Sequence, residues 1–224
     1  MSAECGARSA ESLQSDGTAL ICFALKEEAA PFRKAVAANN KVEVLVTGIG
    51  RVNSEQALKS KLSVLQPSEV FTCGFAGGLD PQWPVGQVLF ETGESALHDR
   101  LLRAGAQPGR FYCADRIATT AVEKHELRQR TGADAVEMES GTIQALCRER
   151  QIPCATVRVI SDAASTDLPL DFNQLSKPDL SLDYRKLALA ILCSPQRMRG
   201  LLELQRNSSR AAAALSEVLM KVTR

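Results

Sequence analysis

Aromatic residues make up only 4% of the chain, with a single Trp, so its interior must be built mainly from Ala, Val, Leu and Ile. No overall excess of either charge exists: 27 Lys and Arg face 26 Asp and Glu, a net charge of +1. Such a balance gives no general attraction to nucleic acid or to an anionic membrane. No apolar run approaches the roughly 18 residues that a spanning helix needs. Only two histidines are present, and neither lies near a cysteine at ligand spacing. The seven cysteines (5, 22, 73, 113, 147, 154 and 193) are odd in number and contain no CxxC pair. They read as small apolar residues in a reducing compartment rather than as a disulfide frame or a zinc site. The N-terminal stretch MSAECGARSAESLQSDGT is small, polar and acidic, with no apolar core of a secretory signal. We therefore expect a disordered tail over 1–18, a single domain over 19–224 and a cytoplasmic setting.

What is present is an alternation of short apolar runs with amphipathic segments. Strands are expected at 19–25, 42–48, 69–74, 85–92, 110–114, 133–137 and 154–160. Helices are expected at 26–38, 51–65, 121–132, about 138–150, and in two or three pieces across 182–223, with an irregular loop at 167–181. Unbroken apolar strands separated by helices imply an α/β fold with a largely parallel sheet buried on both faces.

Ligands of open α/β sheets bind beyond the carboxyl ends of the strands. Here those ends read Lys26-Glu27-Glu28, Thr47-Gly48-Ile49-Gly50, Gly74-Phe75-Ala76-Gly77-Gly78, Glu137-Met138-Glu139 and Ser161-Asp162. Glycines or carboxylates thus stand at five strand ends. TGIG is either a tight turn or a backbone cradle, and it lacks the third glycine and later acid of a dinucleotide site. GFAGG is either a turn or a backbone wall against a flat ligand.

Glu139 shares a helix face with Ile143, Leu146 and Cys147, which turns a carboxylate toward the interior. That is either a macrodipole interaction or a carboxylate in need of donors, which ribose hydroxyls would supply. Asp162 is a cap or an acid at a pocket mouth. Arg158, within a buried strand, needs a carboxylate partner: Glu139, Asp162, or a purely structural one. Glu28 in a helical first turn is commonplace, and its place beside the same surface keeps it a candidate. His98 and His125 read as surface residues.

The motifs KEEAAPF, VTGIGRVNS, CGFAGGLDP and the long VEMES…VRVISD block resemble the nucleoside phosphorylase and nucleosidase superfamily, nearest to the methylthioadenosine/S-adenosylhomocysteine nucleosidase pattern. SDAASTDLPLDF and the later SPQRMRGLLELQ are similar to the hopanoid-associated phosphorylase branch, which acts on a lipid-linked adenosine derivative. The resemblance implies a three-layer α/β/α sandwich with a central mixed, largely parallel sheet. It implies cleavage of the N-glycosidic bond of a purine nucleoside or a 5′-modified adenosine derivative. It puts Asp162 at the acid serving the departing purine, with Ser161 as its helper. Glu139 falls on the carboxylate holding the ribose hydroxyls, Met138 on the residue packing against the sugar, and Glu28 on the base that activates water. Phe75, Ala76 and Gly77 fall on the loop lining base and sugar. Ile117 aligns with the purine-stacking aromatic. On the reading of the residues themselves, Gly48 and Arg158 join the expected binding set.

No metal or redox cofactor is implied. Phosphate is an alternative nucleophile, disfavoured because Phe71-Thr72-Cys73 stands where phosphorylases carry an arginine; Arg51 is the residue that could reach one. The segment from Glu91 to Ala114 is shorter than in the nucleosidases, which suits a bulky 5′ group. The expected partner is a small nucleoside and the expected assembly a homodimer, without nucleic acid or an integral membrane segment. A catalytically silent nucleoside-binding protein and a dinucleotide-binding module are the competing readings.

Overall fold

The computed structural model describes residues 17–175 and 197–224. The expected N-terminal tail therefore lies almost wholly outside the described residues, as do 176–181 of the expected loop and most of the helices expected before residue 197.

Among the described residues, eight strands form one sheet: β1 Ala19–Phe23, β2 Val42–Val46, β3 Glu69–Gly78, β4 Val88–Thr92, β5 Gln107–Pro108, β6 Phe111–Cys113, β7 Ala135–Glu137 and β8 Cys154–Asp162. The main path runs β2-β1-β3-β8-β4-β5, with β7 bridging β3 and β6. β1 lies parallel to β2 and β3, and β3 parallel to β8. β4 runs antiparallel to β8, and β7 antiparallel to β3. The sheet is mixed and largely parallel, with helices on both faces.

The two-residue period of the strands sorts their side chains between two cores. Ile21, Phe23, Phe71, Cys73, Val157 and Val159 join Phe32 of α1 (Lys26–Ala35) and Leu97 and Leu101 of α3 (Ser95–Ala104). The same core takes Ala211, Leu215, Val218, Leu219 and Val222 of the terminal helix Arg197–Val222. Leu20, Cys22 and Val70 point the other way, against Leu58 and Leu62 of α2 (Arg51–Leu62) and Ile143, Leu146 and Cys147 of α5 (Ser140–Glu149). Burial of this kind contributes about 25 cal/mol per Å² and holds the layers together.

α3 is a departure from the sequence reading, which placed no helix at 95–104. Leu97, Leu101 and Ala104 fall at helical spacing, and Gly105 ends the helix in a left-handed conformation (φ 100°). Among the described residues the remaining helices are α4 (Ala121–Thr131) and α6 (Phe172–Leu175), and the terminal helix is labelled α7. The short α6 interrupts what was expected to be an irregular loop. α5 begins at Ser140 rather than at Met138, because Glu139 is its N-cap residue and the Glu137 carboxylate accepts from the N–H groups of Glu139 and Ser140.

β3 and β8 also run further than expected and carry the site within them. Their register slips between Ala76 and Gly77, which pair with Ile160 and Asp162, so Ser161 is the extra residue of a bulge. Bulges re-aim side chains at sheet ends, and this one lies beside Asp162.

Candidate active site

A cavity of about 260 Å³ opens at the carboxyl ends of β1, β3, β7 and β8. Glu28, Phe75, Ala76, Gly77, Ile117, Met138, Glu139, Ser161 and Asp162, all singled out from the sequence, line it together. Gly48 does not: Ile49 holds that part of the wall, and Gly48 (φ 85°) makes the turn, with Asn53 packed where a Cβ would stand. Arg158 is fully buried and lies behind the wall rather than in it.

Arg158 organises one corner. Its Nη2 lies 2.5 Å from Glu137 Oε2 and 3.2 Å from Glu139 Oε2, and it also donates to Thr72 Oγ1 at 3.1 Å. Two-residue periodicity puts Thr72 and Arg158 on the same face of adjacent strands. Asp162 is not a partner of Arg158, whereas Glu139 is. The strongest partner, Glu137, was not singled out from the sequence; its signal was a carboxylate ending a wholly buried strand. Burial works against the Glu137 charge, yet Arg158, the Ser140 hydroxyl and two backbone N–H groups hold its carboxyl below the ordinary range.

Glu139 differs from expectation in one respect. It does not lack donors, since Oε1 accepts from Gly50 N–H at 2.9 Å and Oε2 from Arg158. The need for donors alone therefore does not call for a ligand. Its pKa is raised, first by burial and also by the neighbouring Glu137 charge, while Arg158 opposes both.

Glu28 is sealed in the same corner, 3% exposed. Both carboxyl oxygens accept backbone N–H groups, from Leu25 at 2.9 Å and from Phe75 at 2.8 Å. Burial outweighs these bonds and the pull of Arg158 and raises its pKa to about 7. Gly74 makes this arrangement sterically workable. An added Cβ there would stand 2.7 Å from Arg158 Nη1 and 2.8 Å from Glu28 Oε1, and its φ is +150°. The corner thus holds three carboxylates around a single guanidinium.

A second charged cluster of the lining holds Asp162. Its Oδ1 accepts from Ser161 Oγ at 2.8 Å, and its Oδ2 lies 2.5 Å from Nζ of Lys124. Lys124 was another residue not singled out: it sits on α4 and is 0% exposed. Its only sequence signal was a lysine three residues before the buried Leu127, on the inner face of that helix.

Ile117 adds an apolar side chain to the lining. The Asn173 side-chain amide holds it by both backbone groups, accepting from its N–H at 3.0 Å and donating to its carbonyl at 2.9 Å. Phe172 adds an aromatic surface from α6, and Leu204 and Ser208 of α7 close the far side. Arg51 lies outside the cavity, largely exposed and paired with Asp115. Among the described residues no group of His, Cys, Asp and Glu side chains is arranged to hold a metal ion.

A family model described as the phosphorylase superfamily matches residues 91–192. The chain resembles this superfamily in sequence and in fold. It is 26% identical over 178 residues to a 5′-methylthioadenosine/S-adenosylhomocysteine nucleosidase of Staphylococcus carnosus, covering 64% of this chain and 78% of that protein. It is 27% identical over 171 residues to the corresponding nucleosidase of Glaesserella parasuis, covering 61% and 74%. Among solved structures, futalosine hydrolase of Helicobacter pylori superposes with a TM-score of 0.70 at 16% identity, covering 92% of this chain and 96% of that one. The Neisseria meningitidis nucleosidase in complex with methylthio-immucillin-A gives 0.69 at 18% identity, covering 92% and 98%. These superpositions bear on the fold alone. No helix among the described residues is long and apolar enough to cross a membrane.

Proposed function

We propose that this chain hydrolyses the N-glycosidic bond of a purine nucleoside or a 5′-modified adenosine derivative, releasing the base. One observation carries the reading: Glu28, Glu139 and Asp162, far apart in the chain, line one cavity at the strand ends. The names of the relatives described above support the same reaction class.

The chemistry is a displacement at C1′. The bond to the purine nitrogen breaks and its electron pair leaves with the base, while the sugar becomes cationic. Water forms the new bond to C1′ and gives up a proton, and the departing base gains one. Glu28 is the base that takes the proton from water. A group with a pKa of about 7 is well matched to that task near neutral pH. Glu139 accepts hydrogen bonds from the ribose hydroxyls, a charge-assisted contact that also orients the sugar. The surplus of carboxylates around Arg158 favours a cationic sugar in the transition state. Asp162, braced by Ser161, serves the purine as its proton or hydrogen-bond partner. Met138 packs on the sugar, while Phe75, Ala76, Gly77 and Ile117 enclose sugar and base.

The same electrostatics favour water over phosphate. A phosphate below the sugar would meet Glu28 and Glu139; Arg158, behind the wall, is already engaged by Glu137 and Glu139, and Arg116, which lines the cavity, is paired with Glu123. Residues 19–224 acting as one domain, a cytoplasmic homodimer and independence from any cofactor belong to the same proposal and rest on the resemblance. Incubation with adenosine, methylthioadenosine and a bulkier 5′-substituted adenosine, with and without phosphate, tests it. Free base should accumulate equally fast in both buffers. A strict phosphate requirement would exclude hydrolysis, and binding without base release would leave a silent binding protein.

A further inference from the structure

We propose that Lys124 is a positioning residue for this reaction, and that Asp162 serves the departing base only while the Lys124 ammonium holds its carboxylate at the cavity wall. The inference rests on the reading of Asp162 given above.

A lysine is almost never fully buried unless paired, because its ammonium loses hydration and its stem loses rotamer freedom. Lys124 is 0% exposed. Its three N–H bonds are all used: Asp162 Oδ2 at 2.5 Å, the Ala163 carbonyl at 2.9 Å and the Thr166 carbonyl at 2.9 Å. Two carbonyls could be satisfied by a neutral donor. A sealed ammonium needs a carboxylate, and the one it has is a wall residue of the cavity.

A purely structural role, pinning α4 to the loop after β8, is already filled by other contacts. Asp167 accepts from Ala121 N–H at 2.7 Å, and Leu168 N–H donates to the Thr119 carbonyl at 2.8 Å. Thr120 caps α4 through Glu123 N–H at 3.2 Å. Glu123, the other charge on this end of α4, is engaged by Arg116 and by Thr119 N–H. Lys124 is thus left as the partner of Asp162. With Ser161 Oγ on Oδ1 and Lys124 on Oδ2, both oxygens are anchored and the carboxylate plane is fixed. A group on a mobile side chain would spend much of its time out of line with a ring nitrogen, and misplacement by about 1 Å can cost 10²-fold in rate.

A double-variant cycle tests this, using phosphate-free release of base from the fastest nucleoside. Lys124→Met, Asp162→Asn and the double variant are compared with wild type, with circular dichroism and Tm recorded for each. The expected result is a fall of about 10²-fold in kcat for Lys124→Met, with KM changed by less than about threefold. The double variant should then be no slower than Asp162→Asn alone, because Lys124 acts through that carboxylate. If Lys124→Met does not fold, Lys124→Gln takes its place, since it keeps a donor for the two carbonyls without the charge. Unchanged kcat in the folded Lys124 variant overturns the inference. So does a double variant slowed by the product of the two single losses, which is the mark of a structural role. Absence of base release by wild type overturns the proposed reaction itself, and is seen before any variant is compared.

Discussion

The two ends of the cavity handle buried charge in opposite ways. Around Arg158, Glu137 and Glu139 are ion-paired with one guanidinium and Glu28 lies within its field, so acid exceeds base and two of the three carboxyls are pushed up in pKa. Beside Lys124, Asp162 has an ammonium of its own and a hydroxyl besides. An uncompensated corner is costly in the resting protein, and positive charge developing on a sugar there, as proposed, would relieve that cost. A compensated corner does little for a cation, but it keeps one carboxylate in a fixed place. The first arrangement suits charge stabilisation and the second suits positioning.

Removing either side of this contrast has ranked consequences. Asp162→Asn should be the most damaging, slowing base release by about 10²–10⁴-fold with the fold retained by circular dichroism. It removes the carboxylate and leaves the buried Lys124 ammonium without its ion-pair partner, and full activity would remove that corner from the chemistry. Glu28→Gln should follow at about 10²–10³-fold. Its pH profile carries the sharper information. Water activation needs the ionised carboxylate, and burial has raised its pKa to about 7, so wild-type kcat/KM should fall about tenfold per unit as pH drops below 7. In Glu28→Gln that limb should flatten.

Glu139→Gln should cost less, about 10–10²-fold, from the loss of a charged hydrogen bond worth about 1.5–3 kcal/mol. A 2′-deoxynucleoside should lose less than the ribonucleoside, and equal losses would show that Glu139 does not read that hydroxyl. Gly74→Ala should have the smallest effect on chemistry but a clear one on the fold. The new methyl would press on Arg158 and Glu28 from a glycine-favouring φ, lowering stability by about 1–3 kcal/mol in a urea melt.

The layout of the site was legible in the chain because strands that are buried on both faces are unbroken apolar runs, and polar residues stand out where such runs stop. Eight of the candidate residues marked at those ends do meet at one cavity, and Ile117, marked by the resemblance, lines it with them. What escaped notice was whatever depends on packing between distant elements. Lys124 looks like any charged residue of an amphipathic helix until α4 is docked over the end of β8. Glu137 looks like one carboxylate in a pair until the alternation of β8 turns Arg158 toward it. Gly48 drew attention as a glycine, yet its conformational freedom is used by a turn, and the neighbouring Ile49 reaches the cavity. The helix Ser95–Ala104 is faint in the sequence because only Leu97, Leu101 and Ala104 mark its buried stripe among charged residues. Short-range pattern reports where a chain turns polar; which polar groups meet is decided by topology.

The most direct test follows the oxygen atom that ends on the sugar. Wild type should be given its fastest nucleoside in phosphate-free buffer made with ¹⁸O-water, and both products read by mass spectrometry. Free base together with a pentose carrying one ¹⁸O at C1′ is the predicted result. An intact nucleoside after prolonged incubation, or base release only on addition of phosphate and with a sugar phosphate as co-product, would contradict it.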